Sequence, residues 1–398
     1  MTIEIETAAS EAEVEAAAEV FRVAMVGIPP GTVPAVSMHE PGRTLLARAD
    51  GLPVGAAAAF TGRLVVPGGA RVPHAAVTRV GVLPTHARRG IVSALLRGQL
   101  TDIAARGEVV ASLRASQGGI YERFGYGVAT RSATVRIDTA AARLRDTVPA
   151  SGPVRFAERA TALATLAEIH ARMQHSRPGA IDRSPYWWRA REVFDTGDKH
   201  TVLHGDPGAE DGFLRYRAVD TADWPRSTAR AVSVSDLVFG SPEALLGLLR
   251  HLFALDIAHR IEFPTVPTDF PLAELVTDER AVTVTGVRDE TWLRLVDVPA
   301  ALASRTYRAA EPVLLGITDP LLPANTGVYR VTGDGATRTD AEPELTADVS
   351  ALAAAYLGGT PWRHLVLAGR AVPHRQDAAA AADALFGTDE PPFSGTFF

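Results

Sequence analysis

The stretch Val77-Thr-Arg-Val-Gly-Val-Leu-Pro-Thr-His-Ala-Arg-Arg-Gly-Ile-Val-Ser-Ala-Leu-Leu96 carries the pattern that decides the fold of the first third of this chain. An apolar strand is followed by a tight turn with two arginines and a glycine, and an apolar helix begins near Ile91. The first N–H groups of a helix have no partner within it and carry partial positive charge. The pattern therefore predicts an anion cradle, with charge from Arg88 and Arg89 and close backbone approach at Gly90.

The Arg-Arg-Gly turn taken alone has an ordinary alternative, a strand-to-helix connection with solvated arginines. It is not a P-loop, because no Gly-Lys-Ser/Thr follows, and it lacks the three glycines of a dinucleotide-binding fingerprint. A second motif follows in the order strand, turn, helix, strand: Ser116-Gln-Gly-Gly-Ile-Tyr121-Glu-Arg-Phe-Gly125-Tyr126-Gly. Its two tyrosines could simply be half-buried aromatic residues on either side of a short helix that ends at Gly125.

The first motif resembles the acetyl-CoA loop of the GNAT superfamily of N-acetyltransferases, written Q/R-x-x-G-x-G/A. Arg88, Arg89 and Gly90 are kept, whereas Ala87 and Val92 depart from the pattern. The second motif resembles the Y-x-x-x-G-F/Y element of the same superfamily, whose first tyrosine commonly protonates the leaving CoA thiolate. This resemblance implies that the tyrosine at the start of that element, residue 121 here, is the general acid.

Three longer features narrow the resemblance to the enhanced intracellular survival (Eis) type of N-acetyltransferase. They are P-T-H-x-R-R-G, S-x-G-G-I-Y-x-R-F-G-Y-G, and the segment Trp292-Leu-Arg-Leu-Val-Asp-Val-Pro-Ala-Ala-Leu302. The 398 residues also end in phenylalanine, as such enzymes often do. The resemblance implies an α+β chain with an acetyl-CoA-binding GNAT domain at 1–145, a degenerate GNAT copy at 150–287, and a sterol-carrier-protein-like domain at 290–398.

In such an enzyme acetyl-CoA is the co-substrate. The strand before the turn can offer backbone groups to the amide-rich pantetheine arm, as an added strand would. Ser116 and Gln117 can line the mouth of the same cleft. The predicted acetyl-CoA contacts are Val80, Gly81, Val82, Arg88, Arg89, Gly90, Ile91, Val92, Ser93, Ser116 and Gln117.

The general base is suggested by the tail, Asp389-Glu-Pro-Pro-Phe-Ser-Gly-Thr-Phe-Phe398. Termini usually fray, and two closing phenylalanines indicate either hydrophobic docking or a function. In Eis-type enzymes the C-terminal carboxylate reaches the active site of the first domain and acts as the base, a position that Phe398 matches. An α-carboxylate in water is a weak base, and apolar surroundings would strengthen it. His86, beside the turn, is expected to contact phosphate rather than to remove a proton.

Composition limits the partners. The chain is 46% hydrophobic and 22% charged, with a net charge of −6, so a globular protein that does not bind nucleic acid is expected. It has no cysteine, which excludes disulfides and thiolate ligands, and we expect no metal cofactor. The acidic N-terminus and the lack of a long apolar run predict a cytoplasmic protein without a membrane segment.

Periodicity and turn residues predict further elements. The composition of Thr147 to Pro153 predicts a linker. Ser241-Pro-Glu is expected to begin a helix that reaches about His259, and no Arg-Arg-Gly turn precedes this helix. The sterol-carrier-protein-like last third of the chain is expected to serve as a structural scaffold. The other predicted helices are Glu11 to Val26, Ala160 to Met173, Val349 to Leu357 and Asp377 to Leu385. The other predicted strands are Arg43 to Ala47, Gly55 to Val66, Glu108 to Leu113, Thr201 to His204, Gly212 to Ala218, Ala229 to Phe239, Val313 to Ile317, Gly327 to Thr332 and Thr337 to Thr339. A further strand, Val128 to Asp138, is expected to close the first domain.

The family resemblance implies a small-molecule amine as acceptor and a homo-oligomer, namely a hexamer. Family members acetylate aminoglycosides and other polyamines. Here the segments near the expected cleft hold few carboxylates, and residue 397 is not an acid, so a smaller or more apolar amine is expected. Two other functions remain open, namely a non-catalytic acetyl-CoA sensor and a lipid or sterol carrier built around the last domain.

Overall fold

The computed structural model describes residues 3–29, 33–173, 175–194 and 199–398. The strands are β1 Ile3–Thr7, β2 Thr44–Ala49, β3 Leu52–Val65, β4 Arg71–Val82, β5 Val110–Leu113, β6 Gly127–Val128, β7 Arg131–Asp138, β8 Val154–Phe156, β9 His200–His204, β10 Gly212–Val219, β11 Ala231–Phe239, β12 Arg260–Pro267, β13 Val282–Asp289, β14 Trp292–Leu295, β15 Val313–Thr318, β16 Gly327–Thr332, β17 Gly335–Thr339, β18 Leu345–Asp348 and β19 Ala371–Pro373. The helices are α1 Glu11–Met25, α2 Ile91–Ala105, α3 Ala162–Arg172, α4 Pro185–Phe194, α5 Pro242–Phe253, α6 Leu272–Leu275, α7 Val298–Ser304, α8 Val349–Tyr356, α9 Trp362–Leu367 and α10 Ala378–Phe386.

The chain divides into two compact units. The first unit holds the residues up to Thr130, the segment from Ser176 through α4, and Asp289–Phe398. It contains a seven-stranded sheet in the order β1-β2-β3-β4-β5-β14-β6 and a five-stranded sheet in the order β17-β16-β15-β18-β19. The second unit contains a seven-stranded sheet in the order β13-β7-β12-β11-β10-β9-β8.

Local sequence accounts for the first helix. Ser10 and Glu13 form a capping box, in which each side chain accepts a hydrogen bond from the other residue's backbone N–H. Val14, Ala17 and Val20 follow at helical spacing and are buried. Helix α1 packs on β3 and β4 of the first sheet, so it covers the face of the strand that carries the predicted site.

Two strands lie elsewhere than the sequence suggests. The prediction that Val128 to Asp138 closes the first domain is wrong, because β7 pairs with β12 in the sheet of the second unit. In its place β14, from the segment expected to open the last third, pairs with β5 and β6 in the first sheet. An alternating apolar pattern specifies a strand but not its partner, which explains both errors. The domain boundaries themselves stay predictions.

The second unit repeats the strand-then-helix plan. Strand β11 is followed by α5, as β4 is followed by α2, and β11 pairs in parallel with β12. Ser241 is the N-cap of α5 and Pro242 is its first residue, as predicted. The helix ends at Phe253, so the expectation that it reaches His259 is wrong, and a turn leads into β12.

The five-stranded sheet and helices α7 to α10 enclose a core of fully buried side chains such as Leu315, Tyr356 and Trp362. A buried ion pair joins this sheet to the first one, since Arg294 on β14 donates to both carboxylate oxygens of Asp319 at 2.7 Å. The first unit therefore forms one body from residues at both ends of the chain.

Candidate active site

The predicted pantetheine strand borders an opening in the first sheet. Strands β4 and β5 pair in parallel from His74 opposite Val110 to Val77 opposite Leu113. β5 ends there, whereas β4 continues to Val82. At Val80 to Val82, the backbone edge of β4 that faces β5 therefore has no strand partner in this sheet. An extended ligand that carries amide groups could pair with this edge.

A bulge distorts β4 at the start of this opening. The pairing with β3 shifts between Ala56 and Ala58, and Arg79 opposite it adopts a φ of 53°. Gly81 lies against α1, because a Cβ there would stand 3.0 Å from the Cβ of Ala24 and 3.3 Å from Cδ2 of Phe21. Close packing against α1 is therefore sufficient reason for a glycine at that position.

The anion cradle has the geometry that the sequence predicts. Gly90 is the N-cap of α2 with a φ of 81°, and no side chain caps the helix. A Cβ at Gly90 would meet nothing within 4 Å, so the space in front of the helix is open. Arg88 also has a left-handed backbone, with a φ of 62°, and Arg88, Arg89 and Gly90 are exposed. The N–H groups of Ile91, Val92 and Ser93, which form the first turn, therefore face this open space.

Tyr121 lies against the same opening. It belongs to a hydrophobic cluster that includes Val77 and Leu113, the last paired residues of β4 and β5, and Val92 packs against that cluster. Tyr121 is 6% exposed, and burial raises the pKa of its hydroxyl. Tyr126 is fully buried, and its hydroxyl has no partner among the described residues. Of the two tyrosines, only Tyr121 keeps some solvent exposure.

Ser116 and Gln117 lie on the exposed loop that follows β5. Gln117 begins a short 3-10 turn, Gly118–Ile120, that leads into Tyr121. His86 ends the 3-10 turn that precedes the cradle, and its Nδ1 lies 2.9 Å from the hydroxyl of Thr85. These loops occupy the edge of the opening, and the predicted contacts of their side chains with acetyl-CoA stay predictions.

The C-terminal tail is held in place beside the end of β5. Arg114, the first residue after that strand, donates to the carbonyl oxygen of Thr396 at 2.7 and 3.0 Å and to Glu290 at 2.8 Å. The Glu290 carboxylate is buried and accepts the backbone N–H groups of Ser394 and Gly395 at 3.0 and 2.9 Å. The tail is therefore an ordered part of the first unit and does not fray.

A second group of contacts fixes the last residues. Arg183 donates to the carbonyl oxygen of Gly395 at 3.2 Å and stacks on Trp187 at 4.6 Å. Trp187 Nε1 donates to the carbonyl oxygen of Phe397 at 2.6 Å. Phe398 is half-buried and packs against the core cluster of the five-stranded sheet.

Four residues that hold the tail were not predicted from the sequence, namely Arg114, Arg183, Trp187 and Glu290. The position of Arg114 directly after a buried strand and the tandem Trp187-Trp188 were the available signals. The tail clamp, meaning these four residues, could not be assembled from them, because its members are far apart in sequence.

The described residues contain neither a metal-binding cluster nor a helix that could span a membrane. Across the described ranges, no group of three or more His, Asp or Glu side chains is arranged to hold a metal ion. No described helix has both the length and the apolar character needed to cross a bilayer.

Family models match three consecutive parts of the chain. An acetyltransferase (GNAT) domain matches residues 7–129, a second acetyltransferase (GNAT) domain matches residues 179–295, and a sterol carrier protein domain matches residues 298–395. Together with the three sheets, these matches confirm the expected fold class of two GNAT domains and a sterol-carrier-like domain.

Curated and solved proteins resemble the chain over most of its length. An uncharacterized N-acetyltransferase from Streptomyces coelicolor is 38% identical over 353 residues, covering 85% of this chain and 84% of the relative. The N-acetyltransferase Eis of Mycobacterium tuberculosis is 34% identical over 345 residues, covering 83% of this chain and 82% of Eis. The crystal structure of Eis1 from Mycobacterium abscessus superposes with a TM-score of 0.93 at 49% identity, covering 99% of this chain and all of that one.

Proposed function

Since this chain belongs to the Eis-type N-acetyltransferases of the GNAT superfamily, whose domains use acetyl-CoA as co-substrate, we propose that it acetylates the amine of a small molecule through the opening between β4 and β5. One observation carries the proposal: an unpaired strand edge at Val80 to Val82 and the uncapped N-terminus of α2 border the same opening. An amide-rich arm fits the strand edge, and a pyrophosphate fits the helix N-terminus.

Acetyl-CoA binding divides between these two parts. The pyrophosphate lies on the N–H groups at Ile91, Val92 and Ser93, with Arg88 and Arg89 adding charge-assisted contacts at the exposed turn. The pantetheine arm runs along β4, and Ser116 and Gln117 line the mouth. Holding the thioester beside the amine in this way supplies much of the rate acceleration, because the reaction becomes effectively unimolecular.

The chemical step needs one base and one acid. The amine nitrogen attacks the thioester carbonyl carbon, the C–N bond forms, and the C–S bond breaks. The carboxylate of Phe398 takes the amine proton, and the Tyr121 hydroxyl gives its proton to the CoA thiolate. Both groups then exchange protons with solvent, so that the net products are the acetylated amine and CoA.

Each assigned group has support in its surroundings. Burial raises the pKa of Tyr121, so the hydroxyl keeps its proton at neutral pH and can donate it. The three residues before Phe398 have their carbonyl oxygens bound by Arg183, Arg114 and Trp187, which supports the proposal of a positioned terminal carboxylate. A fixed base costs less reorganisation during the reaction than a mobile one.

The acceptor proposed here is a small or apolar amine, with aminoglycosides as the less favoured class. The residues of α1 that approach β4 at the opening are Phe21 and Ala24, which offer no negative charge to a polycation. We also propose a homo-oligomeric assembly, a hexamer by family resemblance, which light scattering of the purified protein would measure.

A thiol-release assay with acetyl-CoA and a panel of amines tests the proposal, with the acetylated products identified by mass spectrometry. The panel includes tobramycin, spermidine, phenethylamine and phenylalanine, and the Tyr121→Phe variant is the control for background hydrolysis. Release of CoA that depends on both the amine and Tyr121 is expected. Acetyl-CoA binding without release would favour a sensor, and binding of an apolar fluorescent ligand alone would favour a carrier.

A further inference from the structure

One half-buried cation on the first sheet, Arg79, has no role in the chemistry described above. Arg79 lies on the bulge of β4, and its Nη1 atom is fully buried without a hydrogen-bond partner in the described part of the chain. No ion pair of Arg79 with an Asp or Glu side chain is present among the described residues, and burial alone shifts its pKa. A buried charge without a counter-ion is costly, so its presence calls for a ligand that supplies the missing charge.

Two side chains next to Arg79, Phe60 and His39, offer it no negative charge. Its guanidinium lies over the ring of Phe60, with Cζ 5.3 Å from the ring centroid. The nearby His39 is buried, and its Nδ1 lies 2.7 Å from the carbonyl oxygen of Ala35. Burial and the charge of Arg79 lower the pKa of His39 to about 4, so this imidazole is neutral at physiological pH. Burial lowers the pKa of Arg79 to about 10, which still leaves it charged there.

The position of Arg79 in the sheet shows which substrate it could meet. Arg79 falls between Val77, the last residue of β4 that pairs with β5, and Gly81, which packs against α1. Its contacts are with β3 and with the segment that follows α1, whereas Val80 and Val82 pack into clusters with residues of α2. Arg79 therefore borders the opening on the α1 face of the sheet, the face opposite to α2 and its anion cradle.

We propose that Arg79 binds a carboxylate of the acceptor, so that the preferred acceptor class is an amine that also carries a carboxylate, such as an amino acid. The proposal rests on the acetyltransferase function proposed above and specifies its substrate. The acceptor's carboxylate would pair with the guanidinium through charge-assisted hydrogen bonds, and its apolar part would contact Phe60. The amine would then stand beside the thioester carried by β4.

The same arrangement disfavours polycationic acceptors. An ammonium group placed next to an unpaired buried guanidinium is repelled, and the low dielectric of a buried site strengthens that repulsion. Charge at this face therefore selects for anionic and against multiply positive acceptors.

Matched amines that differ only in the carboxylate test the proposal on the full-length enzyme. The set is phenylalanine, phenylalaninamide and phenethylamine, with spermidine and tobramycin as polycations, and kcat/KM is measured for each. The wild-type enzyme should prefer phenylalanine over the two matched compounds by about 10- to 100-fold, as expected for one charge-assisted contact. Equal or higher kcat/KM for phenethylamine or a polycation would overturn the proposal while leaving acetyl transfer intact.

Variants connect the preference to one side chain. Arg79→Leu should bring the phenylalanine-to-phenethylamine ratio close to one, mainly through a higher KM for phenylalanine, and Arg79→Lys should restore part of it. Arg63→Leu is the matched control, because Arg63 is an exposed cation on β3 that donates to the carbonyl oxygen of Arg71. A ratio unchanged in Arg79→Leu, or lost equally in Arg63→Leu, would contradict the assignment. If no amine at all is acetylated, the proposed function fails and this inference fails with it.

Discussion

The two helices that follow the central strands of the two seven-stranded sheets begin in opposite ways. Helix α2 begins after Gly90, with a left-handed N-cap, no side-chain cap and open space in front. Helix α5 begins after Ser241, whose hydroxyl accepts the backbone N–H of Ala244 at 3.0 Å and donates to Asp211 at 2.6 Å. The N-terminus of α5 is thus closed by a side chain and has a carboxylate beside it.

The difference shows that similar strand-then-helix units can have helix N-termini of opposite character. In the second unit β11 pairs with β12 over only three residues and then continues to Phe239. Two parallel strands therefore separate in this sheet too, as β4 and β5 do in the first sheet. What α5 lacks is a free N-terminus, because Ser241 caps it and Asp211 places a negative charge beside it. A few residues at the start of a helix decide whether a GNAT-like unit can bind an anion there.

The largest expected effect comes from the tail, which distinguishes the first unit most strongly. Adding a short Gly-Ser extension after Phe398 replaces the terminal carboxylate by a neutral amide, and acetyl transfer should fall below detection in the thiol-release assay. Deleting Phe398 should do the same, because Trp187 holds the carbonyl of residue 397 and the new terminus falls short by about 3.5 Å.

The control for the tail is Phe398→Leu, which keeps the carboxylate and should keep much of the activity. Thermal unfolding and light scattering should show that all three variants remain folded in the parent's assembly state. A C-terminally extended protein with full activity would show that the base lies elsewhere, with His86 or a chain of water molecules as the next candidates.

The next effect concerns the acid. Tyr121→Phe removes one hydroxyl and keeps the ring in its cluster, so kcat should fall by roughly 10²- to 10³-fold with little change in melting temperature. Because burial raises the pKa of Tyr121, the parent should lose activity through this group only at alkaline pH above the usual tyrosine range. Tyr126→Phe is the matched control at a fully buried hydroxyl, and a larger loss there than at residue 121 would reverse the assignment.

A smaller effect is expected at the cradle. Arg88→Ala combined with Arg89→Ala should raise the KM for acetyl-CoA by about 10- to 100-fold, since two exposed charge-assisted contacts are removed and salt partly screens them. The effect should shrink as ionic strength rises. Arg97→Ala, an exposed position further along α2, serves as the control, and an unchanged KM in the double variant would mean that the cradle is misplaced.

The smallest effect is expected at the capped N-terminus of α5 in the second unit. Ser241→Ala removes the cap of α5 and should cost about 0.5–2 kcal/mol in the free energy of unfolding, measured by urea denaturation. The KM for acetyl-CoA should not change, because α5 is not part of the proposed site. A changed KM would show that the second unit takes part in cofactor binding after all.

Local sequence determined which elements form and where several of them begin and end. Gly125 and Ser241 carry their capping signals within a few residues, and the structure agrees at both positions. The anion cradle was equally readable, because its parts are contiguous from Arg88 to the first turn of α2. Hydrogen bonds and backbone strain between near neighbours depend on residue type and spacing alone.

Tertiary structure alone decided which distant segments meet. The sequence predicts a strand where β7 lies and marks the β14 segment only as the start of the last third, and the fold alone places β7 in the second sheet and β14 beside β5 in the first. The tail clamp and the isolation of Arg79 likewise depend on segments far apart in the chain. Partner choice and burial are set by the packing of the whole core, which a local pattern does not encode, so the tail clamp and the surroundings of Arg79 became visible only in the folded chain.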